Sequence, residues 1–150
     1  MLKGIDPRLT AEVLGALRAM GHGDVLILAD TNFPSDSVAR HTVAGELLHM
    51  DNLTSAEAAQ AILSVYPLDT FVEDFAGRME VVGKPSEVPP VQAEVQAEID
   101  RTEGKPRPMI GIERFAFYDL AREAYAVVRT GERRFYGCFM FRKGVIPPDA

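Results

Sequence analysis

Five consecutive apolar residues, Val25-Leu26-Ile27-Leu28-Ala29, run between a glycine turn and an aspartate, and they constrain the fold more tightly than any other stretch of the chain. An unbroken apolar run of this length predicts a strand buried on both faces, because a strand with one wet face alternates. Such a strand needs layers packed above and below it. The flanking sequence supplies helices for those layers. Leu9, Val13, Leu17 and Met20 recur at helical spacing, with Asp6-Pro7 or Thr10 to start the helix and Gly21 to end it. Thr54 and Glu57 have capping-box spacing and open a second helix that runs through Ala59, Ile62 and Leu63 until Pro67. Val91, Val95 and Ile99, spaced by four, predict a third, broken at Gly104-Lys105-Pro106-Arg107-Pro108. A fourth is expected from near Arg114 to Glu123.

Between these lie strand-like segments: Phe71-Val72, Met79 to Val82, and Met109 to Ile112. Ala126 to Arg129 and Tyr136 to Phe141 read as a closing hairpin around the turn-like Thr130-Gly131-Glu132. Asp30 to Ser35 and Lys84 to Pro90 read as loops. Alternating helices and strands predict a layered α/β fold, with residues 1–150 forming one domain.

Composition limits the function. The chain is 47% hydrophobic and 25% charged, the balance of a globular domain. No apolar run approaches the roughly 20 residues that cross a bilayer, and the N-terminus lacks a secretory pattern, so a cytoplasmic protein without a membrane partner is expected. The lone Cys138 cannot form an internal disulfide, which agrees with a reducing compartment. Sixteen Lys and Arg against 22 Asp and Glu leave a net charge of -6, which disfavours phosphate backbones and hence nucleic acid. His22, His41 and His49 show neither HExxH nor CxxC spacing, so no metal is expected.

Ligands in α/β sheets bind beyond the carboxyl ends of strands, which points to Asp30 and the loop after it. His22 enters the same strand from the other end. At about 3.3 Å per residue the strand separates the two by roughly 20 Å. Either the turn folds back over the sheet, or His22 and Asp30 meet partners from different subunits. The flanking Gly21 and Gly23 leave an imidazole accessible, although a histidine in a helix-ending turn is ordinarily a surface side chain. Asp30 has an ordinary role too, bracing the turn that follows it. Arg114, Phe115, Phe117, Tyr118 and Tyr136 combine ring faces with hydrogen-bonding groups, although the two phenylalanines are more simply core residues. Together these residues point to a site for a polar small molecule.

Longer motifs are more specific. Met1-Leu2-Lys3-Gly4-Ile5, Met20-Gly21-His22-Gly23-Asp24 and Asp30-Thr31-Asn32-Phe33-Pro34 resemble the N-terminal signatures of the RbsD/FucU family. Glu113-Arg114-Phe115-Ala116-Phe117-Tyr118, Thr130-Gly131-Glu132 and Tyr136-Gly137 resemble the C-terminal signature of its fucose mutarotase branch. The resemblance implies a three-layer α/β/α domain, a homo-oligomer that is commonly a decameric ring, and a monosaccharide site near subunit contacts. It implies cofactor-independent exchange of sugar anomers, with His22 as the acid/base and Tyr118 or Tyr136 as its counterpart. Asp30, Arg114, Tyr118 and Tyr136 match substrate-binding or proton-transfer positions, as does Asp69 in the less distinctive Tyr66-Pro67-Leu68-Asp69-Thr70. Where the family commonly has Tyr-Gly-Asn, this chain has Tyr136-Gly137-Cys138. A thiol bonds hydrogen only weakly, so main-chain contacts are expected to carry that position. A ribose pyranase, a non-enzymatic sugar-binding module and a metal-dependent hydrolase are the alternatives.

Overall fold

The apolar run lies at the centre of a six-stranded sheet. A computed structural model describes all 150 residues, Met1 to Ala150. The elements follow in the order α1 (Ala11–Ala19), β1 (Val25–Ala29), α2 (Ser35–Ala39), β2 (Leu48–Met50), α3 (Ser55–Leu63), a 3₁₀ turn (Glu73–Phe75), β3 (Ala76–Met79), α4 (Pro90–Glu103), β4 (Ile110–Ile112), α5 (Arg114–Glu123), β5 (Ala126–Thr130) and β6 (Phe139–Arg142). Local chemistry sets the helix starts. The Thr10 hydroxyl accepts from Val13 N, and at α3 Thr54 and Glu57 complete the expected capping box. Gly104 ends α4 in the left-handed conformation.

The strand order is β2-β5-β1-β6-β3-β4. β1 pairs in parallel with β5 and antiparallel with β6. All five of its residues are buried, and they divide by parity between two cores. Leu26 and Leu28 join Val13, Leu17, Ile62, Val95 and Ile99 under α1, α3 and α4. Val25, Ile27 and Ala29 join Val38, Ala39, Phe117 and Ala121 under α2 and α5. The result is the three-layer α/β/α arrangement. No helix is long and apolar enough to cross a membrane.

Three expectations are corrected. β5 and β6 do not form a hairpin, because β1 lies between them and pairs with both. Phe71 and Val72 form no strand: they are exposed and lead into the 3₁₀ turn. The strand expected at Met79 to Val82 begins earlier, at Ala76, and stops at Met79. Gly77 lies inside it because a Cβ there would come within 2.5 Å of Ile112 Cδ1 and 3.2 Å of Met140 Cγ. The short α2 and β2 were not expected at all.

Candidate functional site

The expected site residues fall into two groups at opposite ends of β1. At its carboxyl end, Asp30, Arg114, Tyr118, Tyr136 and Cys138 converge with Asn32, Phe33, Met79 and Phe135 on a cavity of about 240 Å³. Drug-sized sites run to roughly 300–1,000 Å³, so this one suits a smaller ligand. A larger groove of about 570 Å³, around Phe75 and Arg107, gathers none of the expected residues.

Each wall of the cavity has a local cause. The Glu113 carboxylate accepts from Phe115 N and Ala116 N, both at 3.0 Å, and so starts α5 at Arg114. One turn separates Arg114 from Tyr118, which lets Arg114 Nε donate to the Tyr118 hydroxyl at 3.2 Å. Phe33 packs on Tyr118 with ring centroids 5.4 Å apart. Asp30 is buried, and its carboxylate collects three main-chain donors: Asn32 N at 3.0 Å and Phe33 N at 2.9 Å on Oδ1, and Gly137 N at 3.1 Å on Oδ2. The same aspartate thus shapes the loop after β1 and fixes the loop before β6.

That second loop is strained. Tyr136 has φ +62°, a left-handed conformation uncommon outside glycine. Gln92, fully buried on α4, holds it by donating to Tyr136 O at 3.1 Å and Met79 O at 2.7 Å. The Tyr136 hydroxyl accepts from Val82 N at 3.2 Å. Ser55 Oγ donates to Gly137 O at 3.2 Å, and a Cβ at Gly137 would meet Glu132 Cγ at 2.9 Å. Cys138 is buried in the smaller core and also lines the cavity; burial, then the nearby Asp30 carboxylate, push its thiol pKa well up.

The second group lies at the amino end of β1. His22 Nε2 is 3.2 Å from Asp69 Oδ2, and the ring meets Phe71 edge-on at 5.6 Å. The imidazole is 46% exposed. Asp69 Oδ1 accepts from Phe71 N at 2.9 Å. Burial works against the Asp69 carboxylate, but the Phe71 and His22 hydrogen bonds outweigh it and its pKa falls below the usual value. Glu132 behaves alike, with burial opposed and outweighed by Arg134 and the Ser55 N–H.

A depressed carboxylate pKa stabilises the fold above its unfolded value, and this stability disappears as pH falls through the folded one. Melting temperature should therefore hold near neutrality and drop below about pH 4, where carboxylates ordinarily titrate. The Asp69→Asn, Glu132→Gln double variant should lose less on the same acid scan. An acid limb as steep as that of the parent would show that these two groups are not responsible.

Within one chain, then, His22 does not reach Tyr118, Tyr136 or Asp30. β1 stands between them, as its length predicted. His49 pairs with Asp51 on the surface, and no group of three or more His, Cys, Asp or Glu side chains is arranged to hold a metal ion. Asn32, Phe33, Met79, Phe135 and Gln92 were not anticipated as site residues. Gln92 carries a signal only in retrospect, as an amide adjoining the apolar stripe of α4.

Residues 3–146 match the RbsD / FucU transport protein family, and the chain belongs to it. Within that family it is 42% identical to the fucose mutarotase of Homo sapiens, over 97% of this chain and 94% of the relative. It superposes on protein Atu2016 with TM-score 0.96 at 65% identity, covering 98% of this chain and 97% of the other. It also superposes on the fucose mutarotase of Streptococcus pneumoniae, solved in complex with L-fucose, with TM-score 0.86 at 32% identity, covering 97% and 100%.

Proposed function

We propose that this chain is a fucose mutarotase, an isomerase that interconverts the α and β anomers of L-fucose or a related aldose. The observation that carries this reading is the convergence of Asp30, Arg114, Tyr118 and Tyr136 on one monosaccharide-sized cavity, in a chain whose relatives are named for that activity. Mutarotation removes the anomeric hydroxyl proton while the ring oxygen gains one. The opened aldehyde rotates and closes again, with no change of redox state. A positioned acid/base contributes about 10²- to 10⁴-fold to such a step. His22 fills that role. With Nε2 on Asp69, its Nδ1 is left to exchange a proton with the sugar, and the carboxylate steadies the imidazolium. Tyr118 or Tyr136 serves as the counterpart, Asp30 and Arg114 orient hydroxyls, Cys138 lines the floor, and Gly137 sits behind it, bonded to Asp30 and Ser55.

Because His22 and the cavity lie at opposite ends of β1, the His22 group of one subunit serves the cavity of another in a homo-oligomer, up to the decameric ring that the family resemblance implies. Exposed rings flank both groups: Phe71 beside His22 is 71% exposed, and Phe135 on the cavity 75%. These are surfaces suited to burial against another copy. Each subunit is one domain of residues 1–150, and the assembly works in the cytoplasm without metal or cofactor. Exchange rates measured by NMR across L-fucose, D-ribose and D-galactose test catalysis and substrate together. Fastest exchange is expected for L-fucose; a preference for ribose pyranose-furanose conversion would reject the assignment.

Cys138 tests the cavity floor. Cys138→Asn supplies an amide that donates and accepts, and should strengthen apparent sugar affinity by about 0.5–1.5 kcal/mol. Lower melting temperature with no gain in affinity would place this side chain in the core alone.

A further inference from the structure

The segment Arg142-Lys143-Gly144 lies between the two loops that carry His22 and Asp69, and it hydrogen-bonds to both. Toward the His22 turn, Gly23 N donates to Lys143 O and Lys143 N donates to Asp24 O, each at 2.8 Å. Toward the Asp69 loop, Asp69 N donates to Arg142 O at 3.0 Å and Gly144 N to Pro67 O at 2.8 Å. Gly144 is pressed close enough that a Cβ would lie 2.5 Å from Leu68 O. One extended stretch of main chain therefore sets the spacing between the imidazole loop and the carboxylate loop.

The main chain closes the turn, with Asp24 N donating to Gly21 O at 3.1 Å, but these bonds do not tie the turn to the end of α1. Glycines flank His22, and Gly23 has φ +88°, so the tip has a wide choice of conformations. The end of α1 needs a partner as well. Leu17 O would ordinarily accept from Gly21 N four residues on, but Gly21 N donates instead to Asp24 Oδ2 at 2.7 Å. The Lys143 ammonium fills the gap, donating from Nζ to Leu17 O at 2.7 Å and to Met20 O at 2.6 Å. Met20 is the second residue before His22. Side chains of successive residues in an extended segment point to opposite faces, and on the other face Arg142 Nη1 donates to Gly23 O at 3.3 Å. The turn is gripped on both sides of His22.

We infer that Lys143 is a positioning residue for the reaction: by bonding Leu17 O in the last turn of α1 and Met20 O just beyond it, Lys143 holds the glycine-flanked turn where His22 Nε2 meets Asp69. This rests on the proton-transfer role proposed for His22. Lys143 touches neither the cavity nor the reacting atoms, so its effect passes through the imidazole. Displacing a catalytic group by a fraction of an ångström to an ångström slows turnover while leaving substrate binding largely intact.

The test is a double-mutant cycle on the assembled full-length protein, with L-fucose anomer exchange as the readout. Lys143→Met keeps the length of the side chain and removes its donors. It should lower kcat about tenfold with KM changed less than about twofold, and should lower the rate no further when added to His22→Ala. Lys143→Arg, which still donates, should recover most of the loss. If Lys143→Met fails to assemble, Lys143→Gln, with its single amide donor group, carries the same cycle and should give a smaller loss in kcat. Wild-type kcat in Lys143→Met, or an equal fractional loss with and without His22, overturns the inference. A slow His22→Ala beside a fully active Lys143→Met rejects the lysine's role alone. A fully active His22→Ala removes the role of His22 and this inference with it.

Discussion

Replacing His22 by alanine is expected to slow anomer exchange by about 10²- to 10⁴-fold, the contribution of one positioned acid/base. The fold should survive, because the side chain fills no core: it lies in an exposed glycine-flanked turn, bonded to Asp69 and edge-on to Phe71. The loss should fall mainly on kcat, since Asp30 and Arg114, the groups proposed to bind hydroxyls, line the cavity at the other end of β1 and remain in place. Kinetics and light scattering on the same preparation check both halves of the expectation. Exchange at the parental rate by a correctly assembled variant would remove His22 from the mechanism.

The second large effect belongs to Asp30, and it combines stability with activity. Asp30→Ala leaves Asn32 N, Phe33 N and Gly137 N without their acceptor, two of them buried. A buried donor left unsatisfied costs roughly 1–3 kcal/mol, and some of the freed groups will find water from the cavity, so a net loss of about 3 kcal/mol is expected. For a chain of this size that corresponds to a fall in Tm of roughly 6–12 °C. Exchange should fall too, because the strained Tyr136-Gly137 turn loses its anchor and the cavity loses a carboxylate. A variant that melts within a degree or two of the parent, at roughly 2–4 °C per kcal/mol, and turns over normally would show that the Asp30 network organises neither.

Much of this fold was legible because its signals are local. The periodicity of Val91, Val95 and Ile99, the Thr54–Glu57 box and the boundaries of α5 depend on residues within a few positions of each other. The false hairpin shows the limit. Ala126 to Arg129 and Tyr136 to Phe141 carry the composition of paired strands and a glycine between them, yet each pairs with β1, about a hundred residues away in sequence. α2 and β2 span five and three residues, too few to show a period.

The site divides in the same way. The length of β1 set His22 and Asp30 apart provided the turn did not fold back over the sheet, because an extended strand has a fixed rise; the structure shows His22 on Asp69 at the opposite end of the strand. The pairing of His22 with Asp69 joins residues 47 positions apart, and no local pattern announces it. Gln92 and Lys143 were invisible for the same reason: a buried amide bonding the Tyr136 carbonyl, and an ammonium capping a helix that ended over 120 residues earlier, are products of the tertiary fold.

The most direct test of the central claim is saturation transfer on an equilibrated solution of L-fucose, irradiating the anomeric proton of one form and following that of the other. Catalytic amounts of the protein should carry saturation between the two signals at a rate proportional to protein concentration, with His22→Ala returning it close to the uncatalysed rate. Sugar binding that left the transfer rate at the protein-free value would show a binding module in place of a mutarotase.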